Sequence, residues 1–214
     1  MASGRLNLPN VVTFGRILAC PGVLVLAMYP AVLPRLAAFV LFLAAAFSDI
    51  WGGYLARKYG LVTDLGKLLD PLADKLLLVA TFVPFYILSH GDTALGPIPW
   101  WGPLPIWVVV VIFGRETGVT LFRSWAARRG VVISAGKSGK RKALIQNFFI
   151  GGLLLWYPLK MLALSQGWSG GFWELWSVFH GAWIGINLTL ALILTVYSFG
   201  DYLWNYRALL GVGR

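Results

Sequence analysis

The stretch "SDIWGGYLARKYGLVTDLGKLLDPLADK", residues 48–75, holds Asp49, Asp64, Asp70 and Asp74. The 214-residue chain has eight acidic side chains in all, so half of them crowd into this one segment. The chain around them is 58% apolar and 12% charged, whereas soluble globular domains carry about 25% charged residues. Apolar runs recur at 17–33, 36–47, 76–88, 104–113, 144–164 and 183–199. A spanning helix needs roughly 20 mostly apolar residues to cross about 30 Å of hydrocarbon. Several runs reach that length only by continuing through polar neighbours, which implies helices with one end in a wet region. The reading is an all-α integral membrane protein, a six-transmembrane-helix bundle that forms a single membrane domain over 1–214.

The basic residues orient the bundle. Arg57, Lys58 and Lys67 follow the second expected helix, and Arg123, Arg128, Arg129, Lys137, Lys140, Arg141 and Lys142 follow the fourth. The opposite connections hold only Arg35 and Lys160. By the positive-inside rule both termini are expected in the cytoplasm. Trp100, Trp101, Trp107, Trp168, Trp173 and Trp176 collect at the far connections, where an interfacial aromatic belt belongs. The net charge of +10 suits anionic headgroups beside membrane helices better than nucleic acid, for which no motif is present. Cys20 stands alone and forms no internal disulfide. The opening residues read as a short amphipathic lead-in to helix 1, with Pro9 and Asn10 at its start. Residues 91–105 and 127–142 read as loops, and 165–179 as a loop that continues into an interfacial helix.

Helix periodicity explains the acidic cluster. Residues three and four apart share a helix face, so Asp70 and Asp74 project together, about 6 Å apart along the axis, with Gly66 one turn below. Asp49 shares a face with Gly52, Gly53 and Ala56. Two antiparallel helices are therefore expected to turn three carboxylates towards each other across small residues. A carboxylate facing lipid near mid-membrane costs at least ~2.5–3.5 kcal/mol, so these must line a polar cavity beside a neutralising cation. Oxygen-only donors favour Mg²⁺, Mn²⁺ or Ca²⁺. The competing reading is a structural ion-pair network in which Arg57, Lys67 or Lys75 holds Asp70 and Asp74.

The pattern D49-x-x-G52-G53-x-x-A56-R57-x8-G66-x-x-x-D70-x-x-x-D74 resembles the signature of the CDP-alcohol phosphatidyltransferase family. It keeps every spacing and seven of the eight fixed residues. "NLPNVVTFGRI" (7–17) resembles the family's opening segment. "LLDPLADK" (68–75), "GRE" (114–116), "RGVVISAGKSGKRK" (129–142) and "LTVYSFGDYL" (194–203) are similar to the bacterial branch that makes phosphatidylglycerophosphate. Gly52 stands where the family has its second aspartate.

The resemblance implies transfer of a phosphatidyl group from CDP-diacylglycerol to glycerol 3-phosphate, with release of CMP. It implies Asp49, Asp70 and Asp74 as ligands to divalent metal, two Mg²⁺ or Mn²⁺ ions with one weakened by Gly52, and Asp74 as the catalytic base. Gly53, Ala56, Arg57, Gly66, Asn10 and Thr13 are the implied nucleotide contacts. Arg115, Arg123 and Lys140 are the candidates for the acceptor phosphate, because an intramembrane arginine is costly unless employed or paired. Glu116, adjacent in sequence to Arg115, is expected to face elsewhere. The resemblance also implies an inner-membrane location, a cytoplasmic site and pairing of two copies. Alternatives at this stage are another acceptor such as inositol phosphate, a non-catalytic relative on account of Gly52, and an ion transporter.

Overall fold

The computed structural model of the chain describes residues 7–91, 95–131, 133 and 136–207. It is helical, with α1 (Leu8–Met28), α2 (Val32–Lys58), α3 (Asp64–His90), α4 (Ile106–Arg128), α5 (Lys137–Gln166) and α6 (Gly171–Asn205). Five of the six are long and apolar enough to cross a membrane. The exception is α4, whose interior carries Arg115, Glu116 and Arg123. The chain is thus a helical membrane protein. The expected N-terminal lead-in (1–6) lies outside the described residues.

Local chemistry sets the helix starts that matter for the site. Asn7 caps α1 by accepting from the Asn10 amide at 3.1 Å, and Pro9 sits in the first turn, where a missing N–H does no harm. Thr63 caps α3, accepting from the Gly66 amide at 3.0 Å. The two caps are tied together: Asn7 Nδ2 donates to the Leu61 carbonyl at 2.7 Å, and Thr63 Oγ1 donates to Asn10 Oδ1 at 2.9 Å.

Three expectations need correction. The acidic helices α2 and α3 do not face one another directly; α1 packs between them and touches both extensively. Its small and polar residues Thr13 and Cys20 are buried in the seam, and small residues let membrane helices approach closely. The basic residues Lys137–Lys142 belong to the first turns of α5, so the connection is shorter than 127–142. Residues 171–179 are the start of α6, one continuous helix of 35 residues, and not a separate interfacial helix. At ~1.5 Å per residue α6 is about 52 Å long, enough to pass both headgroup regions.

The core lies away from the acidic end. Phe82, Phe85 and Phe149 are fully buried, with ring centroids 5.8–6.0 Å apart. Glycines seat the bulkier rings: a side-chain carbon at Gly152 would lie 3.0 Å from Trp183, and one at Gly185 would lie 2.7 Å from Trp100. At Gly152 the close approach is between α5 and α6; at Gly181 and Gly185 it is between α6 and the connection that carries Pro99 and Trp100.

Candidate active site

Because α1 is wedged between the acidic helices, its Arg16 reaches both. Arg16 Nη1 lies 2.5 Å from Asp49 Oδ1 on α2, and Nη2 lies 2.7 Å from Asp74 Oδ1 on α3. The guanidinium is 5% exposed, whereas the Asp49 and Asp74 side chains are 47% and 59% exposed. The arginine is therefore the buried pivot and the carboxylates are its open rim. One turn nearer the helix start, Thr13 Oγ1 donates to Asp70 Oδ1 at 2.9 Å. Among the described residues each of these aspartates keeps its second oxygen outside these bonds. The anticipated partners Arg57, Lys67 and Lys75 hold none of them; Lys67 pairs instead with the exposed Asp64.

Two cavities meet at this rim. The smaller, about 210 Å³, is bordered by Asp49, Gly52, Gly53, Ala56, Gly66 and Asp70, and includes Asn10, Thr13 and Arg57. The sequence-predicted nucleotide residues are thus gathered in one place. Gly66 is required there, since a Cβ would stand 2.9 Å from Asn10 Oδ1 and break into the cap that joins α1 to α3. Gly52 is under no such constraint. A Cβ there would meet only Val12 Cγ1, at an ordinary 3.5 Å.

The larger cavity, about 490 Å³, takes residues from all six helices. Arg16 and Asp49 border both cavities, while Asp74 borders only this one. Arg115, Arg123 and Lys140 all line it. Glu116 does not face away as expected: its Oε1 accepts from Arg115 Nη1 at 3.0 Å and from the buried Lys142 Nζ at 2.6 Å. The adjacent pair meets because Glu116 turns to Lys142, a cation that α5 brings in from 26 residues away, and Arg115 donates to the same carboxylate oxygen. Among the described residues the Nε groups of Arg115 and Arg123 and the hydroxyl of Tyr202 are buried without a partner. Such donors sit beside the first turn of α5, where Gly136, Ser138 and Gly139 also line the wall. Free amides and the positive end of the helix dipole suit an anion at that position.

Sequence reasoning missed several of these residues. Arg16 stands in "NLPNVVTFGRI", where the sequence alone balances a family-like residue near the nucleotide against a snorkelling arginine; its two ion pairs come from the packing. Asp201, to which the sequence assigns no role, lines the larger cavity and accepts from Ser138 Oγ at 2.8 Å. No local pattern signals that contact.

A family model described as CDP-alcohol phosphatidyltransferase matches residues 6–199. This chain belongs to the CDP-alcohol phosphatidyltransferase family. Similar curated proteins include the CDP-diacylglycerol–glycerol-3-phosphate 3-phosphatidyltransferase of Bacillus subtilis, 37% identical over 161 residues, covering 70% of this chain and 77% of that protein. A probable phosphatidylglycerophosphate synthase of Mycobacterium tuberculosis is 36% identical over 152 residues, covering 70% of this chain and 66% of that protein. An Arabidopsis thaliana enzyme with the same type of name as the Bacillus one is 37% identical over 159 residues, covering 72% of this chain and 66% of that protein.

Phosphatidyltransferases of this family are generally dependent on divalent metal, so the donor set can be tested against one. Three carboxylates and a threonine hydroxyl are hard oxygen donors, and no histidine or cysteine lines either cavity. Their unbonded oxygens lie at the open rim, where water can complete a coordination shell. Among the described residues no group of three acidic, histidine or cysteine side chains is placed, as it stands, to hold a metal ion. By donor type Asp49, Asp70 and Asp74 suit a hard, partly hydrated ion, while Arg16 stands between two of them.

Proposed function

We propose that this phosphatidyltransferase moves the phosphatidyl group of CDP-diacylglycerol onto glycerol 3-phosphate and releases CMP, making phosphatidylglycerophosphate for phospholipid synthesis. The observation that carries the reading is the junction of the two cavities at Asp49 and Arg16, with small-residue walls on one side and Arg115, Arg123 and Lys140 on the other. Names of the relatives support the same donor and acceptor. We read the chain as one membrane domain of six spans, with both termini and the site on the cytoplasmic face of a bacterial inner membrane. The excess of Lys and Arg at the cavity end supports that orientation.

The mechanism follows from the residues. Gly53, Ala56 and Gly66 leave room for the cytidine diphosphate against the backbones of α2 and α3, and Asn10 and Thr13 border the same space. Arg115, Arg123 and Lys140 hold the acceptor phosphate, with charge-assisted hydrogen bonds of the kind that guanidinium groups make best. Asp49 and Asp70, through the oxygens left outside their bonds to Arg16 and Thr13, would hold the divalent ion, whose charge would offset that on the diphosphate and the departing CMP. Arg16 occupies Asp74 Oδ1, so Oδ2 is the oxygen left to accept the proton of the attacking hydroxyl. That hydroxyl oxygen forms a bond to the phosphorus bearing diacylglycerol. The bond from that phosphorus to the CMP oxygen breaks, and CMP leaves with the electron pair. General-base assistance of this kind contributes about 10²–10⁴-fold.

The test is CMP release from CDP-diacylglycerol by purified protein in nanodiscs with Mg²⁺ or Mn²⁺, supplying glycerol 3-phosphate, inositol phosphate or serine in turn. Release and a labelled phosphatidylglycerophosphate product with glycerol 3-phosphate alone are expected. Preference for inositol phosphate would replace the acceptor assignment, and no release with any acceptor would refute the reading.

A further inference from the structure

We propose that Arg16 is a built-in counter-cation of the acidic site, and that the site accordingly binds one divalent ion where the family resemblance implies two. This rests on the phosphatidyltransferase reading above, and concerns how many ions this chain holds.

The geometry of Arg16 points this way. It is 5% exposed and uses both terminal nitrogens on carboxylates that belong to different helices. Among the described residues its Nε is buried without a partner, as is Nδ2 of Asn10, which lines the same smaller cavity. A guanidinium held so far from solvent, between two acids, is a fixed charge and not a surface arginine that swings aside. Charges this close to a buried guanidinium interact more strongly than a fully exposed pair, although water reaches the carboxylate side.

The charge balance then limits the ions. Asp49, Asp70 and Asp74 with Arg16 leave a net charge of minus two, which one divalent ion neutralises. A second ion would leave plus two before any substrate arrives, in a cavity that Arg57 and Lys67 also border. Position 52, from which a fourth carboxylate would offset that excess, is glycine. Crowding does not explain the glycine, because a side chain there would meet only Val12 at 3.5 Å. The site is therefore short of one acid, with room to receive it.

Mn²⁺ binding to the full chain in zwitterionic-lipid nanodiscs, followed by the loss of free-ion electron paramagnetic resonance signal, measures the stoichiometry without turnover. One Mn²⁺ per chain is expected for the native sequence and two for Gly52→Asp. Arg16→Gln should bind its first ion at least ~10-fold more tightly, since a positive charge beside the ion is gone. Arg16→Lys, which keeps that charge, should stay near the native affinity. If Arg16→Gln does not fold, Arg16→Lys and Gly52→Asp still decide the outcome. Two ions on the native chain overturn the proposal and leave the metal-dependent reading intact. No bound ion overturns both. One ion with unchanged affinity in a folded Arg16→Gln removes Arg16 from the role.

Discussion

Neutralising Arg115 separates acceptor binding from everything else the site does. Its side chain is 12% exposed, and Nη1 is engaged with Glu116 while Nε has no partner among the described residues. Its Nη2 lies against the first turn of α5, 3.4 Å from where a Cβ on Gly139 would stand. In Arg115→Gln, Glu116 keeps its 2.6 Å bond to Lys142, so no bare carboxylate is left in the wall. The loss is one charge-assisted contact to the acceptor phosphate, worth about 1.5–3 kcal/mol. That is roughly a 10- to 150-fold rise in the KM for glycerol 3-phosphate. The KM for CDP-diacylglycerol should change less than about twofold, because Arg115 borders only the larger cavity. Steady-state CMP release with each substrate varied in turn measures both constants. Arg115→Lys should fall between the two, keeping the charge but losing the planar fork. Equal rises in both constants would refute the assignment of the larger cavity to the acceptor, as would an unchanged acceptor KM.

Three other outcomes follow from the same geometry. Gly66→Ala should raise the KM for CDP-diacylglycerol and lower thermal stability by about 1 kcal/mol, the worth of the Thr63–Asn10 hydrogen bond it disturbs; a thermal melt and the donor KM check it. Asp74→Asn should cut kcat by about 10²–10⁴-fold while donor binding, followed with a fluorescent liponucleotide, persists; a variant with near-native kcat would remove Asp74 as the base. Gly185→Leu, far from both cavities, should cost about 1–3 kcal/mol by driving a side chain into the Trp100 ring, lowering the melting temperature while the kcat of the folded fraction holds.

The helices and their acidic face were legible because both depend on local spacing. An i, i+4 pair such as Asp70 and Asp74 shares a face whatever the rest of the chain does. A run such as 183–199 spells a membrane helix by length and composition alone. The collection of Arg115, Arg123 and Lys140 in one cavity was also foreseeable, since charged groups on membrane helices must turn inward or towards the headgroups. Two of the six helices, α4 and α5, supply the residues of that trio and of its partner pair Glu116–Lys142, but that these two helices meet there was not foreseeable.

Which helix lies beside which was decided only in three dimensions. In lipid an apolar helix face gains nothing by turning to one apolar neighbour over another, so hydropathy does not encode the pairing. Steric fit and polar contacts choose it, and they placed α1 between α2 and α3. That choice put Arg16 between Asp49 and Asp74 and left Gly52 facing an open cavity. It also brought Lys142 across to Glu116 and Ser138 to Asp201. The acids and their spacing belong to the sequence. Their counter-charge, and the room beside it, belong to the packing of helices distant along the chain.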